Sequence, residues 1–196
     1  MILSNVSIHR ALDQGRLRIE PEPHPRVPSL AEPDCPYDTT SVDLRLGKTI
    51  QIPRKGPFSF DPSKGGIAKF LADNSDEHRL DGPGGYVLKS HAFALCQTLE
   101  LVELPIRDDP PTLAARIEGK SSVARCGLLV HFTAPTVHAG WRGPLTLEVI
   151  NLGPNEIVLR TGMRICQLVL EMVEGIPTPN PSQFHGQTTP AGTASS

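Results

Sequence analysis

Short alternating runs, bounded by glycine and proline, constrain this chain most. Residues 98–104 alternate between polar and apolar, as does Ser41-Val42-Asp43-Leu44-Arg45-Leu46-Gly47. Period-two alternation marks half-buried strands. Further runs of this kind cover residues 86–88, 92–95, 113–117, 128–132, 145–149, 157–159 and 165–172. The 17 glycines and 20 prolines favour turns over long helices. The pattern predicts an all-β barrel or sandwich. One short helix is expected after Ser4, with Ile8, Ala11 and Leu12 on one face and Gly15 at its end. Residues 53–85 lack periodicity and read as a surface insertion, with a helical turn around residues 67–71.

The length of 196 residues suits a single domain. That domain is expected over residues 1–175, followed by a flexible Pro-, Thr- and Ser-rich arm over 176–196 that closes over a site. A net charge of -2 argues against a nucleic-acid binder, which needs a basic face. Cys35, Cys96, Cys126 and Cys166 lack the close spacing of zinc or redox pairs. No apolar stretch approaches the roughly 20 residues of a membrane helix, and Met1 to Asn5 lack the basic start of a signal peptide. A cytoplasmic protein with free thiols, bound neither to membrane nor to nucleic acid, is expected.

The chemistry concentrates between residues 115 and 148. Gly119-Lys120-Ser121 resembles the end of a P-loop, but Ala114 stands where the loop needs its first glycine. Ser121 and Ser122 instead precede a single helical turn, Val123 to Cys126, closed by Gly127. Hydroxyls, free N–H groups, Lys120 and Arg125 make an expected anion site there. Asp43 and Arg45 share one strand face and read as a structural charge pair. Leu145, Leu147 and Val149 face one way on their strand, and Thr146 and Glu148 the other. If that second face lines a pocket, burial raises the Glu148 pKa toward proton-transfer range. His131 lies in an apolar run and reads as a core histidine. The zinc deaminase signature is absent, since Ala139 and Gly140 follow His138 and no cysteine pair comes after.

Across nearly its whole length the sequence resembles the dCTP deaminase family, relatives of the trimeric dUTPases. The resemblance rests on the order and spacing of several pieces. They are Met1-Ile2-Leu3-Ser4, the 41–46 strand, Thr98-Leu99-Glu100, the run from Gly119 to Leu128, Val130-His131 and Thr133-Ala134. Gly140-Trp141-Arg142-Gly143, Leu147-Glu148, Gly162-Met163 with Gln167, and His185-Gly186-Gln187 complete the series. It implies a distorted β-barrel of the dUTPase-like, β-clip type with a few short helices, assembled as a homotrimer with sites between subunits. It implies hydrolysis of dCTP to dUTP and ammonia without zinc, with Mg²⁺ carried on the triphosphate. Glu148 would be the acid/base, and Ser121 and Arg125 would orient it and the water. Lys120, Ser122 and Gln187 would hold phosphates. Thr133 and Ala134 would read the base edge, Trp141 would pack near the deoxyribose, and Gln167 would wall the base or phosphates. Val123, Ala124, His138, Thr146 and Leu147 complete the implied substrate contacts.

This sequence departs from the family at His138, where the usual residue is Asp. In dUTPases that Asp positions the attacking water, so His138 disfavours dUTP pyrophosphatase or bifunctional activity. Phe184 replaces a tail tyrosine, and Gln183 stands where some members have lysine. These changes leave a modified cytosine nucleotide open as substrate. A non-catalytic nucleotide-binding trimer is disfavoured by the presence of Ser121, Arg125 and Glu148 together.

Overall fold

A computed structural model describes residues 1–57, 59–109, 111–180, 182 and 184–192. The first helix, α1 (Asn5–Asp13), starts at Ser4, whose hydroxyl accepts from the Ser7 N–H. Ile8 and Ala11 on its inner face are fully buried, which docks the helix on the strands by apolar burial. The strands follow as β1 (Arg18–Glu20) and β2 (Val42–Pro53). Next come a second helix, α2 (Ile67–Asp73), then β3 (Ser75–Arg79), β4 (Tyr86–Leu88), β5 (Phe93–Glu103) and β6 (Leu113–Gly119). A short α3 (Ser121–Ala124) leads into β7 (Leu128–Val130), β8 (Thr136–Val137), β9 (Arg142–Asn151), β10 (Ile157–Leu159) and β11 (Arg164–Met172).

Nine strands form one curled sheet in the order β7-β9-β5-β2-β11-β6-β8, with β1 added on β5 and β3 on β2. β4 and β10 make a separate two-stranded ribbon. Alternate residues of the long strands enter a single core that includes Leu44, Leu46, Leu147, Val149, Leu168 and Leu170. The mostly-β fold expected from the alternating runs is therefore observed.

Three local readings change. The runs at 92–95 and 98–104 are one strand, β5, whose register against β9 shifts between Gln97 and Leu101. That irregularity breaks the alternation and made one strand look like two. The 53–85 insertion lies at the surface as expected but is not without regular structure: β3 extends the sheet from β2, and the Phe60 and Phe70 rings stack at 4.3 Å beside α2. Asp43 and Arg45 do not pair with each other. Arg45 reaches Glu100 at 2.6 Å, and Asp43 reaches Lys120 at 2.5 Å. Strand pairing offered each a partner of opposite charge on a neighbouring strand.

The turn after α3 is fixed by two glycines. Gly127 has φ +89°, and a Cβ there would lie 2.4 Å from the Gly153 backbone. A Cβ on Gly153 would lie 2.4 Å from the Cys126 carbonyl oxygen. Both contacts are closer than any side chain tolerates, so Gly127→Ala must push the α3–β7 turn away from the β9–β10 turn. The expected cost is about 2 kcal/mol, read as a lower urea midpoint at unchanged m-value.

Candidate active site

Thr146 and Glu148 project from the polar face of β9, as alternation required, and both line a cavity of about 390 Å³. That volume falls within the range of small-molecule sites. The apolar walls come from Ile67 and Leu71 of α2, Leu95 of β5 and Ile117 of β6. Leu95 is the direct cross-strand neighbour of Glu148. Ala134, His138 and Trp141 close another side. Phe184 and Gln187, near the C-terminal end of the described residues, also line the cavity. Gln187 is 5% exposed, and its amide donates to Thr146 Oγ1 at 2.8 Å and to the Pro144 carbonyl at 3.3 Å.

His131 is the unexpected member. It is not a core residue but the immediate partner of Glu148, with Nδ1 2.8 Å from Glu148 Oε2. Neither atom is exposed, and neither meets the geometry of a hydrogen bond. The other ring nitrogen, Nε2, lies 2.6 Å from the Ala134 carbonyl oxygen. With an acceptor at each nitrogen, the ring suits its doubly protonated form. Its backbone is left-handed, at φ +54°, and its N–H donates to the Glu148 carbonyl at 2.8 Å. Such strain in a non-glycine residue costs about 1–3 kcal/mol and collects at functional sites.

The charges of this pair follow from its surroundings. Burial pushes the Glu148 carboxyl up, but contact with His131 and its positive charge pulls it further down, to a net value below 4.5. The rise expected from burial alone is thus reversed. For His131, burial pushes the pKa down, and Glu148 with the Ala134 and Thr146 backbone raises it above 6.5. Glu148 is therefore a carboxylate in neutral solution. The sign of the linked stability is fixed by these directions. The His131 contribution is complete below 6.5 and fades as pH rises through its raised folded value; that of Glu148 is complete above 4.5 and fades as pH falls through its lowered one. His131→Gln should thus lower the melting temperature most near pH ~5.5 and least near pH ~9. A deficit independent of pH would contradict the ion pair.

Of the residues singled out from sequence, the cavity gathers Glu148, Thr146, Ala134, His138, Trp141 and Gln187. Ser121, Ser122, Ala124 and Arg125 lie exposed on or beside α3 and do not line it, nor does half-buried Val123. Lys120 and Gln167 sit in a separate charged cluster around Asp43. Thr133 is exposed outside the cavity. Leu147 is fully buried: alternation turns it into the core, away from the substrate side. Gln183 lies outside the described residues. His131, Ile67, Leu71 and Leu95 were missed. The parity of the 128–131 run carried the His131 signal, because Leu128 and Val130 are buried and His131 therefore takes the other face.

Comparison with known proteins sets this site in context. Residues 2–173 match the dCTP deaminase-like family. The chain belongs to that family. It is 35% identical to the dCTP deaminase of Natronomonas pharaonis over 97% of this chain and 92% of the relative. Identity to the dCTP deaminase of Thermomicrobium roseum is also 35%, over 88% of this chain and 80% of the relative. A relative from Methanothermobacter thermautotrophicus, named dCTP deaminase, dUMP-forming, is 33% identical over 96% of this chain and 91% of its own. Among solved structures, the 2'-deoxycytidine 5'-triphosphate deaminase of Agrobacterium tumefaciens superimposes with a TM-score of 0.64 at 24% identity. The match covers 88% of this chain and 48% of that one. This likeness shows a shared fold. For a dCTP deaminase-like chain, a cavity with one carboxylate on its polar face is the place to look for the chemistry.

Proposed function

We propose that this protein deaminates dCTP to dUTP and ammonia by hydrolysis, with Glu148 as the acid/base. The observation that carries the reading is the Glu148 carboxylate on the wall of a largely apolar cavity, with His131 at its side. Relatives named dCTP deaminase that align over most of the chain support it.

The steps follow from the groups present. Glu148 takes a proton from water, and the resulting hydroxide bonds to C4 of the cytosine ring. Glu148 then returns the proton to the exocyclic amine, the C4–N bond breaks and ammonia leaves, and the proton of the C4 hydroxyl passes to N3, so that the C4 oxygen becomes the carbonyl of uracil. One water is consumed and one ammonia released. General acid–base catalysis of this kind contributes about 10²–10⁴-fold. Negative charge develops at N3 and the oxygen on C4, and cationic and hydroxyl groups beside them would stabilise it.

Ser121 and Arg125 are the groups of that type that the family pattern assigns, yet within one chain they do not line the cavity. We assign them to the cavity of a neighbouring copy in a homotrimer. Their side chains are exposed and have no hydrogen bond or ion pair among the described residues. Trp141 and His138 would face the sugar, and Ala134 the base edge. The arm from residue 176 would close the cavity through Gln187 and Phe184. No group of three or more His, Cys, Asp or Glu side chains converges among the described residues. By the family resemblance, Mg²⁺ would be carried on the nucleotide's phosphate oxygens. None of the described helices is long and apolar enough to cross a membrane.

The test is incubation of the purified protein with dCTP and Mg²⁺, with nucleotides and ammonia quantified by chromatography. Equal amounts of dUTP and ammonia are expected. Because His138 offers no carboxylate to hold an attacking water at the phosphates, dUMP and pyrophosphate should not accumulate. No turnover of dCTP would overturn the proposal.

A further inference from the structure

Lys120 is the cation that family resemblance assigns to phosphate, but its ammonium is already engaged. It lies 2.5 Å from each oxygen of Asp43, a carboxylate only 4% exposed. Asp43 stands on β2, and Lys120 follows the last residue of β6 and immediately precedes α3. β11 runs between those two strands. The pair therefore reaches across β11 and ties the start of α3 to a strand two places away. Two residues of β11 complete the cluster. Gln167, the register partner of Asp43, donates from Nε2 to Asp38 at 2.6 Å and to Asp43 at 3.3 Å. Arg164 lies 3.7 Å from Asp43 and 2.6 Å from Asp34.

The residues just after Lys120 are in the opposite state. Ser121, Ser122 and Arg125 are exposed, and their side chains have no hydrogen bond or ion pair among the described residues. One end of this turn is clamped to the buried Asp43 carboxylate while its functional side chains are left free. Freeing Lys120 for a triphosphate would strip a buried carboxylate of its nearest cation, which is strongly unfavourable.

We propose that Asp43 and Lys120 form a positioning pair: they hold the 121–125 turn so that Ser121 and Arg125 can serve the reaction, and Lys120 carries no phosphate. The proposal rests on the deaminase reading above. It makes Lys120 act through its neighbours, so its loss should appear in kcat. A phosphate ligand that binds ground and transition state alike would appear in KM.

The test is steady-state kinetics with dCTP on full-length Asp43→Asn, Lys120→Met and the double variant. Misplacing the turn should lower kcat about 10–100-fold in each single variant, with KM within about threefold of wild type. The double variant should be no worse than either single one, because both remove the same clamp. Lys120→Arg, which can keep the pair, should recover most of the kcat lost in Lys120→Met. A phosphate-binding Lys120 gives another pattern. Lys120→Met would then raise KM about tenfold or more at near-normal kcat, whereas Asp43→Asn, by freeing the ammonium, would leave KM unchanged or lower. That pattern overturns the proposal. Should Lys120→Met fail to fold, Asp43→Asn alone decides: a fall in kcat supports the clamp, and a normal kcat with equal or lower KM overturns it. If wild-type protein does not turn over dCTP, the deaminase reading fails separately. Calorimetric titration with dCTP then reads Lys120 directly: unchanged affinity in Lys120→Met supports the clamp, and a tenfold loss overturns it.

Discussion

Glu148→Gln should lower kcat for dCTP deamination by about 10²–10⁴-fold. Glutamine fills the same volume on the polar face of β9, so the cavity with Thr146, Trp141 and Gln187 keeps its shape. What disappears is the proton acceptor. KM for dCTP should change far less than kcat, since the amide can still hydrogen-bond to the substrate. Ammonia release under saturating dCTP measures the effect. A variant with wild-type turnover would remove Glu148 from the chemistry.

The largest expected effect on stability lies away from the cavity. Glu100 is fully buried, and Arg45 grips it twice: the side-chain Nε donates to one carboxylate oxygen at 2.6 Å and the backbone N–H to the other at 2.9 Å. Arg45→Met strands that carboxylate without its cation and should cost about 3–5 kcal/mol. Glu100→Gln should cost less, because the Arg45 side chain is 35% exposed and can turn to water. Urea denaturation of both variants measures the asymmetry. Equal costs would mean that shape, and not the buried charge, governs this corner.

These two predictions show what the sequence can and cannot reveal. Alternation alone put Glu148 and Thr146 on one face of β9 and Leu147 on the other, because a strand has only two faces. The carboxylate was thus legible before the cavity was. Its partner was not. A histidine in an apolar run does not declare which charge it meets, and His131 meets Glu148 only because β7 pairs with β9. The pKa direction of Glu148 reversed for the same reason. Asp43 and Arg45 illustrate the limit for charge pairs: two like-facing neighbours suggest each other, but their partners stand 77 and 55 residues away along the chain. Residues 53–85 have no period to read, yet Ile67 and Leu71, one turn apart on α2, wall the cavity. The β5 irregularity hid a single strand as two. Local pattern gave the elements and their faces, and long-range pairing decided which polar groups share a site.

The central claim is that the Glu148 cavity of one copy is completed by Ser121 and Arg125 of another. Mixed trimers test it most directly. Glu148→Gln and Arg125→Ala proteins, each nearly inactive alone, would be unfolded together, refolded and assayed with dCTP. If sites are shared between copies, random mixing gives about one intact site in four, and activity should return to about that fraction of wild type. If mixed trimers are shown to form and activity does not return, each site must be built within a single chain, and the account is contradicted.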